Sequence, residues 1–287
     1  MQQLKQCVLS FDIEEWFQVE NLRAVIPRDT WQNYESTVVK NTGRILKILS
    51  EYNICGTFFI LGSVAEKNPD LIEAILKGQN EIASHGYGHD LTYQMSEAEL
   101  MDDIRKAQNI LEKLSGEKIW GYRAPNFSVS DKLIDILNNL GFSYDSSYNP
   151  FRLNSRYGQI SIESKPGVNA IQIRENFYEI PVPTIKLFHQ DFPIAGGAYF
   201  RILPYKLFEY LVSRKIALTN FYSFYLHPWE FEPEQPRINN IRLNYKLRHY
   251  TGLKQTEIKF RKFIESLLHR NCSFITYKRF VQSIQQT

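Results

Sequence analysis

Four short pieces of this sequence carry residue types that could share one chemical task. They are Asp12 and Glu14 in SFDIEEW, His85 and His89 in SHGYGH, Arg123 in YRAPNF, and His227 in YLHPWEF. The histidine pair, four residues apart directly after a hydrophobic run, is the sharpest local signal. Gly86 and Gly88 favour a tight loop over a helical turn. The spacing is not that of a zincin helix, because Gly86 stands where that motif needs glutamate. A single histidine is more often a packing residue than a ligand, but two at this spacing make a metal site a balanced alternative. Asp12 and Glu14 lie two apart at the end of another hydrophobic run, so an extended backbone points both to one side. Two such carboxylates repel unless a cation or an arginine lies between them. One carboxylate with two imidazoles supplies three ligands and leaves a position open for water, as catalytic zinc requires. The other carboxylate is then free to act as a base. Arg123, in a turn stiffened by Pro125, can fork onto a carboxylate. His227, beside Trp229, can donate a proton. Taken singly, a surface arginine and a packed histidine are the ordinary explanations for these two. As a set, the residues suit metal-assisted hydrolysis.

The elements that must position them alternate along the chain. Residues 7–11 read as a buried strand, 38–52 as a helix, 56–61 as a strand, 70–77 as a helix and 81–84 as a strand ending at His85. Ser96 with Glu99 forms a capping-box pattern that opens the next helix. Residues 119–122 read as a strand ending at Arg123. Ser130 caps a helix that stops at Gly141, and 142–145 is a further strand. Residues 150–176 are a polar excursion of hairpin or loop. Strands at 178–183 and 221–226 flank a helix at 204–215. A second polar excursion covers 230–252, followed by a helix bearing Phe260, Phe263, Ile264, Leu267 and Leu268, a strand at 273–277 and a last helix. This alternation predicts an α/β fold with a mainly parallel sheet. A barrel and a doubly wound sheet both fit this pattern; the candidate residues follow at least four different strands, which favours a barrel, where strand ends meet in one pocket.

Composition narrows the class. The chain has 287 residues, 43% hydrophobic and 23% charged, enough for one large α/β domain. The net charge of +3, from 34 basic and 31 acidic residues, argues against nucleic acid or an anionic membrane as partner. No apolar run approaches the ~18 residues of a membrane span; residues 54–65 come nearest. Residues 1–6 lead straight into a strand and leave no room for a signal peptide, so a cytoplasmic location is expected. Cys7, Cys55 and Cys272 lie in apolar runs without CxxC spacing and read as buried free thiols. Most of the 14% aromatic content is expected in the core. Arg237, Arg242, Lys246 and Arg248 could meet an acidic sugar, although a solvated face is the more ordinary use of such a run.

In order and spacing these pieces resemble the polysaccharide deacetylase family, the carbohydrate esterases with the chitooligosaccharide-deacetylase homology domain. SFDIE resembles the first family motif, usually TFDDG. SHGYGH resembles the second, H-S/T-x-x-H, and YRAPNF the third, R-x-P. YDSSY, with Asp145, resembles the fourth, and YLH the fifth, L-x-H. The strings GGAYFRILPY and HPWEFEPEQPR resemble a branch often associated with exopolysaccharide gene clusters. The resemblance implies a distorted (β/α) barrel and one catalytic domain over residues 1–287. The motifs span about 7–228, and 229–287 is a C-terminal extension. It implies a divalent metal, usually Zn2+, and removal of N-acetyl groups from amino sugars of a polysaccharide or oligosaccharide. By matching position, His85 and His89 are metal ligands, Asp12 is the general base and Arg123 orients it. His227 is the general acid, with Asp145 as its partner. The backbone N–H of Asn126 is implied as an oxyanion donor. Trp16, Tyr199 and Trp229 are candidates for stacking on sugar rings.

Two departures bear on the metal. The family's second aspartate, a ligand, aligns with Ile13, which cannot bind metal. Members that space their acids as D-x-D imply that Glu14 takes the role, with Glu15 facing the other way. Gly86 replaces a serine or threonine whose hydroxyl would help fix the loop. The Ile13 departure motivates one rival reading, a catalytically degenerate glycan-binding protein on the same fold. Another is an amide hydrolase acting on a small non-sugar substrate. Nothing in the sequence speaks to oligomeric state.

Overall fold

The structure is a computed structural model that describes residues 4–151, 157–162, 168–187 and 190–286. Its strands are β1 (Lys5–Ile13), β2 (Thr57–Ile60), β3 (Glu81–Ser84), β4 (Gly121–Tyr122), β5 (Tyr144–Asp145), β6 (Ile171–Arg174), β7 (Phe177–Glu179), β8 (Thr184–Leu187), β9 (Gln190–Pro193), β10 (Phe221–Leu226) and β11 (Cys272–Phe274). The main sheet runs β10-β1-β2-β3-β4-β5-β7-β6, with β11 beside β1. Every pairing is parallel except β6 with β7. Gly196 makes an isolated parallel bridge to Tyr225, so the chain arriving from the β8–β9 hairpin leans on β10. The result is a distorted (β/α) barrel, with all the parallel strands delivering their carboxyl ends to one rim.

The strands read as continuous apolar runs because both faces are covered. All six residues of β10 are buried, as is β1 from Cys7 onward. Helix Val38–Glu51 packs Ile45, Ile48 and Leu49 into the core, and helix Thr256–Leu268 does so with Phe260, Phe263, Ile264 and Leu267. Phe200, Phe208, Phe224 and Phe263 meet mostly edge to face, with centroids 5.0–6.0 Å apart. Each such ring contributes roughly 1.5–3 kcal/mol by burial. Most of the aromatic content is therefore structural, as expected from composition. The three cysteines are buried free thiols. Among the described residues, no helix is long and apolar enough to cross a membrane.

Local signals place their elements well. Ser96 accepts from the Glu99 amide while the Glu99 carboxylate receives the Ser96 amide, opening helix Glu97–Ser115. Ser130 caps helix Asp131–Asn139, and Gly141 follows with φ 79°, a left-handed turn that glycine takes without strain. The two excursions differ from their polar appearance. Of the first, residues 152–156 and 163–167 lie outside the described residues, and its end forms β6. The second holds a helix, Leu243–Tyr250, that buries His249 and Tyr250. The β8–β9 hairpin has no counterpart in the sequence reading.

Candidate active site

Ser10, Asp12 and Glu14 follow the two-residue period of β1 and its exit, while Phe11 and Ile13 turn into the core. Arg123, at the end of β4, comes to meet them. It is 1% exposed and its donors are taken up in a fixed fork. Nη1 donates to Asp12 Oδ1 at 2.7 Å and to Ser10 Oγ at 3.0 Å. Nε donates to the Ser146 carbonyl at 3.0 Å; Nη2 donates to Ser146 Oγ at 3.1 Å and Tyr277 Oη at 3.3 Å. A buried charge is tolerable only when paired and bonded in this way. The consequence is a carboxylate, Asp12, held in one orientation at the cleft floor.

Glu14 lies next to the histidine pair. Its Oε2 is 2.5 Å from His89 Nε2 and 3.8 Å from His85 Nε2. All three residues are buried, and one ligand atom from each lies within 4.8 Å of the others. His85 Nδ1 is 2.7 Å from the Arg123 carbonyl oxygen. A carbonyl only accepts, so Nδ1 carries the proton and Nε2 keeps the lone pair that a metal needs. Trp229 Nε1 donates to Glu14 Oε1 at 3.1 Å, leaving Oε2 toward the imidazoles. Burial pushes the Glu14 carboxyl up, but His89, His227 and the bonds from both ligand histidines outweigh it and hold it well below the usual range. Two imidazoles and a carboxylate, buried and convergent, fit a divalent ion.

The loop carrying the histidines is fixed by a residue that sequence reasoning missed. Gly86 has φ 75° and His89 φ 61°, so the loop needs support. Asp103, from helix Glu97–Ser115, accepts the amides of Tyr87 at 2.8 Å and Gly88 at 3.0 Å. A Cβ on Gly86 would meet Asp103 Oδ2 at 2.8 Å. The carboxylate thus supplies the anchor for which a hydroxyl at residue 86 was expected, and it leaves no room for a side chain there. Glu15 does face away: it accepts the Thr37 and Val38 amides at the start of helix Val38–Glu51, where a carboxylate suits the helix dipole.

His227 follows β10. Its Nε2 is 3.8 Å from Asp12 Oδ2 and 3.7 Å from Glu14 Oε1. The expected partner, Asp145, is not there. Glu230 Oε1 takes His227 Nδ1 at 2.8 Å, and Glu230 Oε2 takes Arg201 Nε at 2.7 Å. The 3₁₀ turn Pro228–Phe231 puts Glu230 directly under the ring, so no second acid is needed. Asp145 is committed to the Ser147 hydroxyl at 2.6 Å. That hydroxyl in turn accepts the Ala124 amide at 2.7 Å, so Asp145 steadies the backbone beside Arg123. Next to it, Glu179 is pushed well up by burial and by the Asp145 charge. For His227, burial favours the neutral form, but Glu14, Glu230 and Asp12 outweigh it and raise the ring to about 9.

The cleft above these residues, about 660 Å³ including its open mouth, is lined by Asp12, Glu14, His85, His89, His227 and Asn126, among others. Asn126 holds φ 52°, bringing its backbone to the rim. The stacking candidates are corrected. Trp16 is 1% exposed and packs against Phe17 and Tyr34, outside the cleft lining. Tyr199 sits between Phe151 and Phe192, also outside it. Trp229 lines the cleft, but its ring is layered on His227 at 5.2 Å and His249 at 4.5 Å, so it serves as wall and as donor to Glu14. Glu230 and Arg201 stood in the strings HPWEF and GGAYFR, and only their meeting in space gives them a role.

Fold and site together define an α/β-barrel protein with a candidate metal centre at the carboxyl ends of its strands. Residues 25–144 match the polysaccharide deacetylase family, and residues 146–282 match a domain of unknown function, DUF3473. The peptidoglycan deacetylase-like protein FGM2 of Gibberella zeae is 36% identical over 107 residues, 37% of this chain and 32% of that protein. A peptidoglycan-N-acetylglucosamine deacetylase of Bacillus cereus is 30% identical over 189 residues, 61% of this chain and 66% of that protein. The chain thus spans about a third of the first relative and just under two thirds of the second. In structure it is similar to a family 4 carbohydrate esterase pseudoenzyme of Bacillus anthracis, with a TM-score of 0.56 at 14% identity over 98% of this chain and 66% of that one. Residues 25–144 of the chain belong to the polysaccharide deacetylase family.

Proposed function

We propose that this protein is a metal-dependent N-deacetylase acting on amino sugars of a polysaccharide or oligosaccharide. The single observation that carries this reading is the convergence of Glu14, His85 and His89 beside Asp12 and His227 in one cleft. These three would hold the ion, and the donor set suits Zn2+. Held there, the ion would act as a Lewis acid and lower the pKa of a coordinated water. Asp12, fixed by Arg123, accepts the proton of the attacking water. His227, held by Glu230, gives its Nε2 proton to the departing amine. Without that proton the amine is a poor leaving group. The Asn126 backbone N–H is offered to the developing oxyanion, a contribution typically worth ~10²–10³ in rate. The exopolysaccharide-like strings support an extended glycan as substrate. A single catalytic unit is supported by β11 pairing beside β1 and by Tyr277 reaching Arg123.

Acetate release over a panel of N-acetylated glycans, with metal content measured in parallel, tests the reading. Wild type should release acetate. Asp12→Asn should lose activity while retaining metal, and His85→Ala should lose the metal. Glycan binding without acetate release would replace this reading with the glycan-binding alternative that Ile13 motivates, and a fully active Asp12→Asn would overturn the assignment of Asp12 as the base.

A further inference from the structure

The cleft holds two arginine or histidine cations whose charges are matched and one whose charge is not. Arg201 pairs with Glu230, and His227 lies between Glu230, Asp12 and Glu14. Arg248 also lines the cleft, the only one of the four basic residues of its segment, Arg237, Arg242, Lys246 and Arg248, to do so. Among the described residues no carboxylate lies within ion-pair distance of it. Its guanidinium donates to a neutral group, Tyr157 Oη, at 3.1 Å, and it is only partly exposed. A guanidinium drawn from water gains most from a planar anion that accepts two of its donors.

Arg248 is also held in place. Arg201 Nη2 donates to the Arg248 carbonyl at 2.9 Å and Nη1 to the His249 carbonyl at 3.1 Å. These bonds close the carboxyl end of helix Leu243–Tyr250, and Trp229 stacks on His249. The partner of Arg248, Tyr157, touches Phe127, which touches Tyr225, which touches His227. The same arginine that orients Glu230 under His227 therefore fixes Arg248 on the wall of the reacting cleft.

We propose that Arg248 forms an anion subsite, and that the glycan carries a carboxylate close to the N-acetyl group being removed. The proposal rests on the deacetylase reading for its reaction but not for its binding. Two sources share this chemistry, a uronic acid on a neighbouring sugar and an acidic ether on the N-acetyl sugar itself. The probes are a hyaluronan tetrasaccharide for the first, an N-acetylglucosamine–N-acetylmuramic acid disaccharide for the second, and neutral chitotetraose as reference. Binding is measured by calorimetry and turnover by acetate release, for wild type and for Arg248→Gln. Wild type should prefer an acidic probe. Arg248→Gln should lose roughly 10- to 100-fold in affinity and kcat/KM for it, mostly through KM, with chitotetraose unchanged. Arg248→Lys should recover part of the loss, because it restores charge without the fork. Equal losses on acidic and neutral probes, or no preference for either acidic probe in wild type, would overturn the subsite. If wild type releases no acetate from any probe, the deacetylase reading fails, and the calorimetry still decides the role of Arg248.

Discussion

His249 links the acid stability of the protein to the wall of its cleft. The ring is fully buried, stacked on Trp229, and bonded through Nε2 to Gln235 Oε1 at 2.7 Å. Burial, aided by the nearby Arg201 charge, lowers its pKa from 6.5 to about 3. The folded-state pKa is depressed, so the unfolded chain takes up a proton that the folded one refuses. Stability is fully present above pH 6.5 and declines as pH falls from there toward 3. Each pH unit in that window costs about 1.36 kcal/mol, so His249 alone removes roughly 2 kcal/mol between pH 7 and pH 5. Other buried groups also contribute, and Glu179, raised by burial, acts with the opposite sign. Urea denaturation of wild type and His249→Gln at both pH values isolates the histidine, because the other groups cancel in the difference. Glutamine can still donate to Gln235. The variant should lose about 2 kcal/mol less than wild type on going from pH 7 to pH 5. Equal losses in the two proteins would show that His249 is protonated in the folded state and that the stacked arrangement is wrong.

Asp103→Ala should weaken metal binding ~10–100-fold, the usual effect of removing an outer support of a ligand. Chelator competition reads this, with circular dichroism confirming the fold; unchanged affinity would mean that the histidine loop holds itself. Glu230→Gln should lower kcat by roughly 10²-fold or more with metal content and KM little changed, because it removes the charge that orients His227. Full activity in that variant would return the pairing role to another acid.

Local patterns were the most legible part of this protein. The period-two pair Asp12 and Glu14, the loop glycines around His85 and His89, and the caps at Ser96 and Ser130 depend on neighbours a few residues away. Hydrophobic period and capping chemistry act at that range, so strands, helices and the chemically competent residues could be read directly. Their alternation indicated a mainly parallel α/β sheet, and the placing of the candidate residues after several strands favoured a barrel.

Partnership was decided elsewhere. Arg123 reaches Asp12 across 111 positions, Tyr277 across 154, and Trp229 reaches Glu14 across 215. Asp145 and Glu230 are both acids at plausible places, and the family resemblance favoured the wrong one as partner of His227. The turn after β10 brought Glu230 beneath the ring, while Ser147 had already engaged Asp145. The stacking tryptophans were likewise assigned by type, and packing then covered their faces. Residue type states what a side chain can do, whereas the folding of the sheet determines which other groups stand within hydrogen-bond reach, and burial makes those few contacts obligatory.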